Sequence, residues 1–112
     1  MALGSDETLI RVYAKEVLMR IRYVGLDGRT RVAEAARVKF MHDGWTARDK
    51  RHEIDEDITG PLIVVNQING KGGKRLIMLA PDALDMEAAK THLLEKGWLD
   101  LSICPVKVES MY

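Results

Sequence analysis

Residues 34–45 read Glu34-Ala35-Ala36-Arg37-Val38-Lys39-Phe40-Met41-His42-Asp43-Gly44-Trp45, and residues 87–98 read Glu87-Ala88-Ala89-Lys90-Thr91-His92-Leu93-Leu94-Glu95-Lys96-Gly97-Trp98. At this offset of 53, five of twelve positions are identical, including both tryptophans of the chain. Ala33, Ala36, Phe40 and Met41 recur as Met86, Ala89, Leu93 and Leu94. That spacing lays one apolar stripe along a helix. Gly44 and Gly97 then fall where a helix end needs a left-handed residue. Each tryptophan follows its glycine and is expected to pack on its own helix end, Trp45 on Phe40 and Trp98 on Leu93.

The match extends upstream without a gap. Thr8-Leu9-Ile10-Arg11-Val12 faces Pro61-Leu62-Ile63-Val64-Val65, and Arg22-Tyr23-Val24 faces Arg75-Leu76-Ile77. This reads as a tandem duplication within one domain spanning 1–112, with halves at about 8–53 and 61–108.

The second half is the plainer one. Residues 61–68 form a β-branched apolar run, residues 69–73 a turn cluster with an Asn-Gly pair, and residues 75–80 a second apolar run. Together they predict a hairpin. Asp82 reads as an N-cap for a helix over 83–96, with Asp85 in its first turn. A last strand covers 99–108, where Pro105 restricts it to an edge or a bulge. By analogy the first half is strand 8–14, strand 17–24, helix 30–43 and an extended piece from Trp45. Residues 5–21 also fit a capped amphipathic helix, since Leu9, Val12, Tyr13 and Val17 follow Ser5-Asp6-Glu7-Thr8. The expected fold is α+β: a mainly antiparallel sheet with two helices on one face, built from a tandem ββαβ repeat. The alternative is a ferredoxin-like βαββαβ order.

Composition narrows the function classes. The chain has 112 residues and a mass of 12.6 kDa, too few for a multidomain enzyme. An apolar share of 46% fits a globular core and opposes disorder. One cysteine, Cys104, excludes an internal disulfide framework and a multi-cysteine zinc site. The first seven residues lack the basic start and apolar run of a signal peptide. No apolar run is long enough to span a bilayer. A cytoplasmic protein with no membrane role is expected. The zero net charge hides a split: residues 1–53 hold 11 Lys/Arg and 8 Asp/Glu, whereas residues 54–112 hold 6 and 9.

Three clusters bear on chemistry. Asn69-Gly70-Lys71-Gly72-Gly73-Lys74-Arg75 combines glycine N–H groups with Lys71, Lys74 and Arg75, a set able to cradle phosphate. It lacks Walker A spacing, and the plainer reading is a soluble hairpin tip. In a hairpin over 8–24, alternation sets Arg11, Tyr13, Arg20 and Arg22 on a basic sheet face, the kind that binds single-stranded nucleic acid. A single tyrosine is a thin stacking platform there. His52-Glu53-Ile54-Asp55-Glu56-Asp57, with His42, Asp43 and Asp49 upstream, could hold a divalent metal for phosphodiester cleavage. Its acids are contiguous rather than spaced to converge, so a solvated loop is the better reading. Cys104 reads as core, and His92 as a helix-surface residue.

No catalytic set, metal site or cofactor motif emerges. The sequence points to a small non-enzymatic binding or regulatory protein acting through a macromolecular partner, with a homodimer admissible. The alternatives are a nucleic-acid-binding protein using the basic face and the 69–75 loop, and a metal-dependent phosphodiesterase.

Overall fold

The structure, a computed structural model, describes residues 7–11, 19–45, 57–68 and 74–111. These form β1 (Glu7–Arg11), β2 (Met19–Val24), β3 (Thr30–Met41), β4 (Leu62–Ile68), β5 (Lys74–Leu79), α1 (Met86–Lys96), β6 (Trp98–Asp100) and β7 (Val106–Met111). The class is α+β, as expected. All strands join one mixed sheet in the order β6-β2-β3-β4-β5-β7, and β1 also pairs with β3. Every pairing is antiparallel except β2 with β6, which is parallel.

The first half departs from the duplicated pattern. Residues 30–41 form the longest strand of the sheet, not the expected helix. Ala33, Ala35, Val38 and Phe40 are buried, while Val32, Glu34 and Arg37 are exposed. This is strand alternation broken once, at a register shift between Ala35 and Arg37. A bulge there puts Ala33 and Phe40 seven residues apart on one face, a separation that also fits two helical turns. Among the described residues α1 is the only helix, and it follows five strands. Among the described residues, neither the tandem ββαβ repeat with two helices nor the βαββαβ order is seen.

The expected 8–24 hairpin is also replaced. Arg11 pairs with Arg37 and Met19 with Ala35, while β4 pairs with the same residues of β3 from the other side. A strand has two edges, so β1 and β2 lie end to end along one edge of β3. They are strands over 7–11 and 19–24, not one continuous helix.

The second half follows the sequence more closely. β4 and β5 pair in antiparallel register from Ile63↔Leu79 to Ile68↔Lys74. The helix begins later than expected: Asp85, not Asp82, is the N-cap, and its carboxylate accepts from the Glu87 and Ala88 N–H groups. At the other end Gly97 takes φ +78 and donates its N–H to the Leu93 carbonyl at 2.9 Å. The expected last strand is two strands, β6 and β7, separated by a turn that closes with Cys104 N–H on the Leu101 carbonyl.

The sheet has two unlike faces. The inner face carries the main core, where Ile21, Phe40, Val65 and Ile77 meet Ala89 and Leu93 of α1 and the buried Cys104. Among the described residues, the outer face is covered over β4 and β5 alone. There Trp45 packs with Met41, Leu62, Val64, Leu76 and Met78. Trp45 and Ile58 exchange backbone hydrogen bonds of 2.8 Å, which hold this cover down. Gly44 takes φ +83, and a Cβ on it would lie 2.2 Å from the Ile58 carbonyl oxygen. So β4 and β5 are buried on both sides and read as continuous apolar runs, whereas β2 alternates buried and exposed. No described helix is long and apolar enough to cross a membrane.

Candidate functional site

The uncovered part of the outer face lies over β6, β2 and the first half of β3. Alternation along β2 sends Met19, Ile21 and Tyr23 into the core and leaves Arg20 and Arg22 exposed. Register then sets the neighbours. Arg20 stands between Trp98 of β6 and Glu34 of β3, and Arg22 between Asp100 and Val32. Directly paired residues point to the same side, so these six form two rows of three.

Two members of the patch are apolar and open to water. Trp98 is 50% exposed and Val32 58%. Trp98 is braced from the helix: His92 Nδ1 lies 2.9 Å from the Trp98 carbonyl oxygen, which requires that Nδ1 carry the proton and donate. The imidazole also stands edge-on to the indole, with ring centres 4.5 Å apart. Trp98 is half-exposed, while Leu93, the residue it is expected to clamp, is fully buried in the main core.

The charged members are matched in part. Arg22 Nη1 donates to Asp100 Oδ2 at 3.1 Å, with both side chains open to solvent. Asp100 also accepts from the Ser102 hydroxyl and from the Ser102 N–H at 2.9 Å. The Ser102 hydrogen bonds, and then Arg22, hold the Asp100 carboxyl below the usual carboxylate range. Past the bulge in β3, Arg37 is exposed and pairs with Asn66, and Lys39 pairs with Val64 of the outer cluster. These positions set the cations Arg20, Arg22, Arg37 and Lys39 on the face that also carries the acids Glu34 and Asp100.

Of the residues singled out in the sequence, Arg20 and Arg22 are brought together as expected. Arg11 sits on β1 opposite Arg37, beyond the end of β2 rather than across from it. Lys74 opens β5 opposite Ile68. Arg75 is turned to the inner side with Ile77, half-buried, with its Nη1 3.7 Å from Glu109 Oε2. It therefore does not extend the outer basic face. Tyr13, Lys71 and residues 49–56 of the acidic stretch lie outside the described residues. Among the described residues no group of three or more His, Cys, Asp or Glu is placed to hold a metal ion.

Sequence reasoning missed Trp98, Val32 and Asp100. The available signal was the alternation around Leu99 and Leu101, which leaves Trp98 and Asp100 on the opposite side.

No protein-family model matches the chain, and no curated protein and no solved structure matches it either.

Proposed function

We propose that this is a non-enzymatic binding protein that acts through a macromolecular partner held on the outer face of β6, β2 and β3. The observation that carries this reading is the exposure of Trp98 and Val32 beside Arg20 and Arg22 on one uncovered sheet face. Tryptophan and arginine are the residues most enriched where binding energy concentrates, and an exposed indole leaves apolar surface in water until something covers it.

The sheet edges support the same choice. β6 is three residues long. β7 carries a register shift, with Met78 opposite Val108 and Leu79 opposite Val106, and exposed Lys107 falls in the shifted segment. Short edges, bulges and edge lysines all oppose strand addition. A partner would therefore meet the face rather than extend the sheet.

The test is affinity capture from the native host with the wild type, Trp98→Ala and Leu94→Ala. Leu94 is exposed on α1, the helix that packs on the inner-face core, and serves as the control. A partner retained by the wild type and Leu94→Ala but lost from Trp98→Ala is the expected result. Equal capture by all three would overturn the assignment to this face.

A further inference from the structure

We infer that the macromolecule bound on this face is single-stranded nucleic acid, an inference that rests on the binding role proposed above. A single strand asks two things of a protein surface: cations spaced along its phosphates, and a flat aromatic on which an unstacked base can lie. The sequence alone offered the cations without a convincing aromatic. The parallel pairing of β6 with β2 supplies one by setting Trp98 directly beside Arg20.

The spacing is suited to the ligand. Arg20 and Arg22 leave the same side of β2 at i and i+2, about 7 Å apart along the strand. An extended sugar–phosphate chain can meet such a pair phosphate by phosphate. Arg37 continues the basic line past the bulge. His92 fixes the backbone of Trp98 from the helix side and meets the indole edge-on, so the platform is held in place before a base arrives.

The two acids shape the prediction rather than cancel it. The Arg22–Asp100 pair is solvent-exposed, at 55% and 42% of the two side chains, and such pairs are worth little in water. A phosphate can take over the guanidinium while Asp100 keeps its bonds to Ser102. Asp100 then acts as a brake on affinity. A second copy of the chain is a poorer occupant. A two-fold centred on β2 lays the arginine pair of one copy over that of the other, bringing like charges together. A duplex is also a poorer occupant, because its bases are already stacked and unavailable to Trp98.

The experiment is fluorescence anisotropy of labelled single-stranded DNA and RNA oligonucleotides, and of the matching duplexes, with the full chain at low and physiological salt. Expected are a preference for single strands and an affinity that falls as salt rises. Arg20→Ala and Arg22→Ala should each weaken binding, and Trp98→Ala should weaken it roughly tenfold, the loss of one stacked base. Asp100→Asn should tighten binding, a gain that misfolding cannot produce. In a Trp45→Phe background Trp98 is the sole tryptophan, and its fluorescence should be quenched on binding. Absence of binding at low salt, or equal affinity across the four site variants, would overturn the inference. If oligonucleotides do not bind while host capture still depends on Trp98, the nucleic-acid inference fails and the binding role stands. If capture is also independent of Trp98, both fail.

Discussion

The Tyr23 hydroxyl on β2 donates a 3.2 Å hydrogen bond to the Glu109 carboxylate on β7, although β3, β4 and β5 stand between those strands in the sheet. The other carboxylate oxygen of Glu109 accepts the Leu26 N–H at 3.1 Å. A flat sheet could not make these contacts, so twist and curl must bring its two sides together around the main core. Glu109 is thus a staple between the β2–β3 turn and the final strand. It also explains why Arg75 faces inward, next to a half-buried carboxylate that needs a cation.

Removing the Tyr23 hydroxyl should therefore loosen the curl. Burial raises the Tyr23 pKa, Arg75 opposes the rise by hydrogen bonding, and the negative Glu109 adds to it. The folded chain thus holds this proton more tightly than the unfolded chain. The resulting stability is whole below the unfolded value of about 10 and is lost as pH climbs through the higher folded value. Tyr23→Phe should cost about 1.5–3 kcal/mol at neutral pH, the usual worth of a hydrogen bond to a charged group. Urea unfolding of both proteins should show that gap narrowing above pH 10. A gap that stays constant with pH would mean that Tyr23 does not titrate through this contact.

The two Gly-Trp pairs look alike in sequence and should respond differently to mutation. At Gly97 a Cβ meets open space, so Gly97→Ala carries only the left-handed backbone penalty, about 1–2 kcal/mol. At Gly44 the same φ penalty is joined by a clash of 2.2 Å with a backbone oxygen that is already hydrogen-bonded to Trp45. Gly44→Ala should detach the 57–60 segment from the outer core and cost well over about 3 kcal/mol. Denaturant midpoints for the two variants side by side decide this, and equal losses would refute the role given to the Ile58 contact.

The helix start offers a finer test. Asp85 accepts two backbone N–H bonds at 3.0 and 3.1 Å. Asp82 lies in the preceding turn, where the Leu84 N–H bonds to the Pro81 carbonyl. Asp85→Ala should lose about 1 kcal/mol, the ordinary cost of an N-cap, and Asp82→Ala should lie close to zero. Thermal unfolding of the pair separates the observed boundary from the one expected three residues earlier.

What was legible in the sequence divides along these lines. The β4–β5 hairpin and α1 could be read because their signals are local: a β-branched run, an Asn-Gly turn, an apolar stripe and a terminal glycine. β3 could not, because its bulge shifts the phase of a period-two pattern and makes Ala33, Ala36 and Phe40 resemble a helical stripe. At the candidate site, alternation alone placed Arg20 and Arg22 on a solvent face. Alternation around Leu99 and Leu101 puts Trp98 and Asp100 on one side, but that this side lies beside Arg20 and Arg22 was out of reach, because it depends on β2 pairing with a strand 78 residues later in the chain. Nothing near Trp98 distinguishes a residue that caps its own helix from one that joins the edge of a sheet.

The bulge itself is the strongest claim about how this chain encodes its fold. β3 pairs with β4 in one register up to Ala35 and in another from Arg37 onward. Carried past Ala35 with no bulge, the first alternation would place Arg37 and Lys39 on the side of Ala33 and Ala35. A one-residue slip exchanges the two faces of a strand, so Val38 and Phe40, both fully buried, would turn outward and Arg37 and Lys39 inward. Two cations facing Ile63, Val65 and Leu93 have no partner there, and an unpaired buried charge is among the most destabilising changes a core can suffer. Deleting Ala36 removes the extra residue and leaves Ala33, Ala35, Val38 and Phe40 on one face of an unbroken alternation, so the deletion variant should still unfold cooperatively, followed by near-ultraviolet circular dichroism with urea. Loss of cooperative unfolding in that variant would show that β3 needs the bulge itself, and that the alternation on both sides of Ala36 does not by itself set which residues face the core.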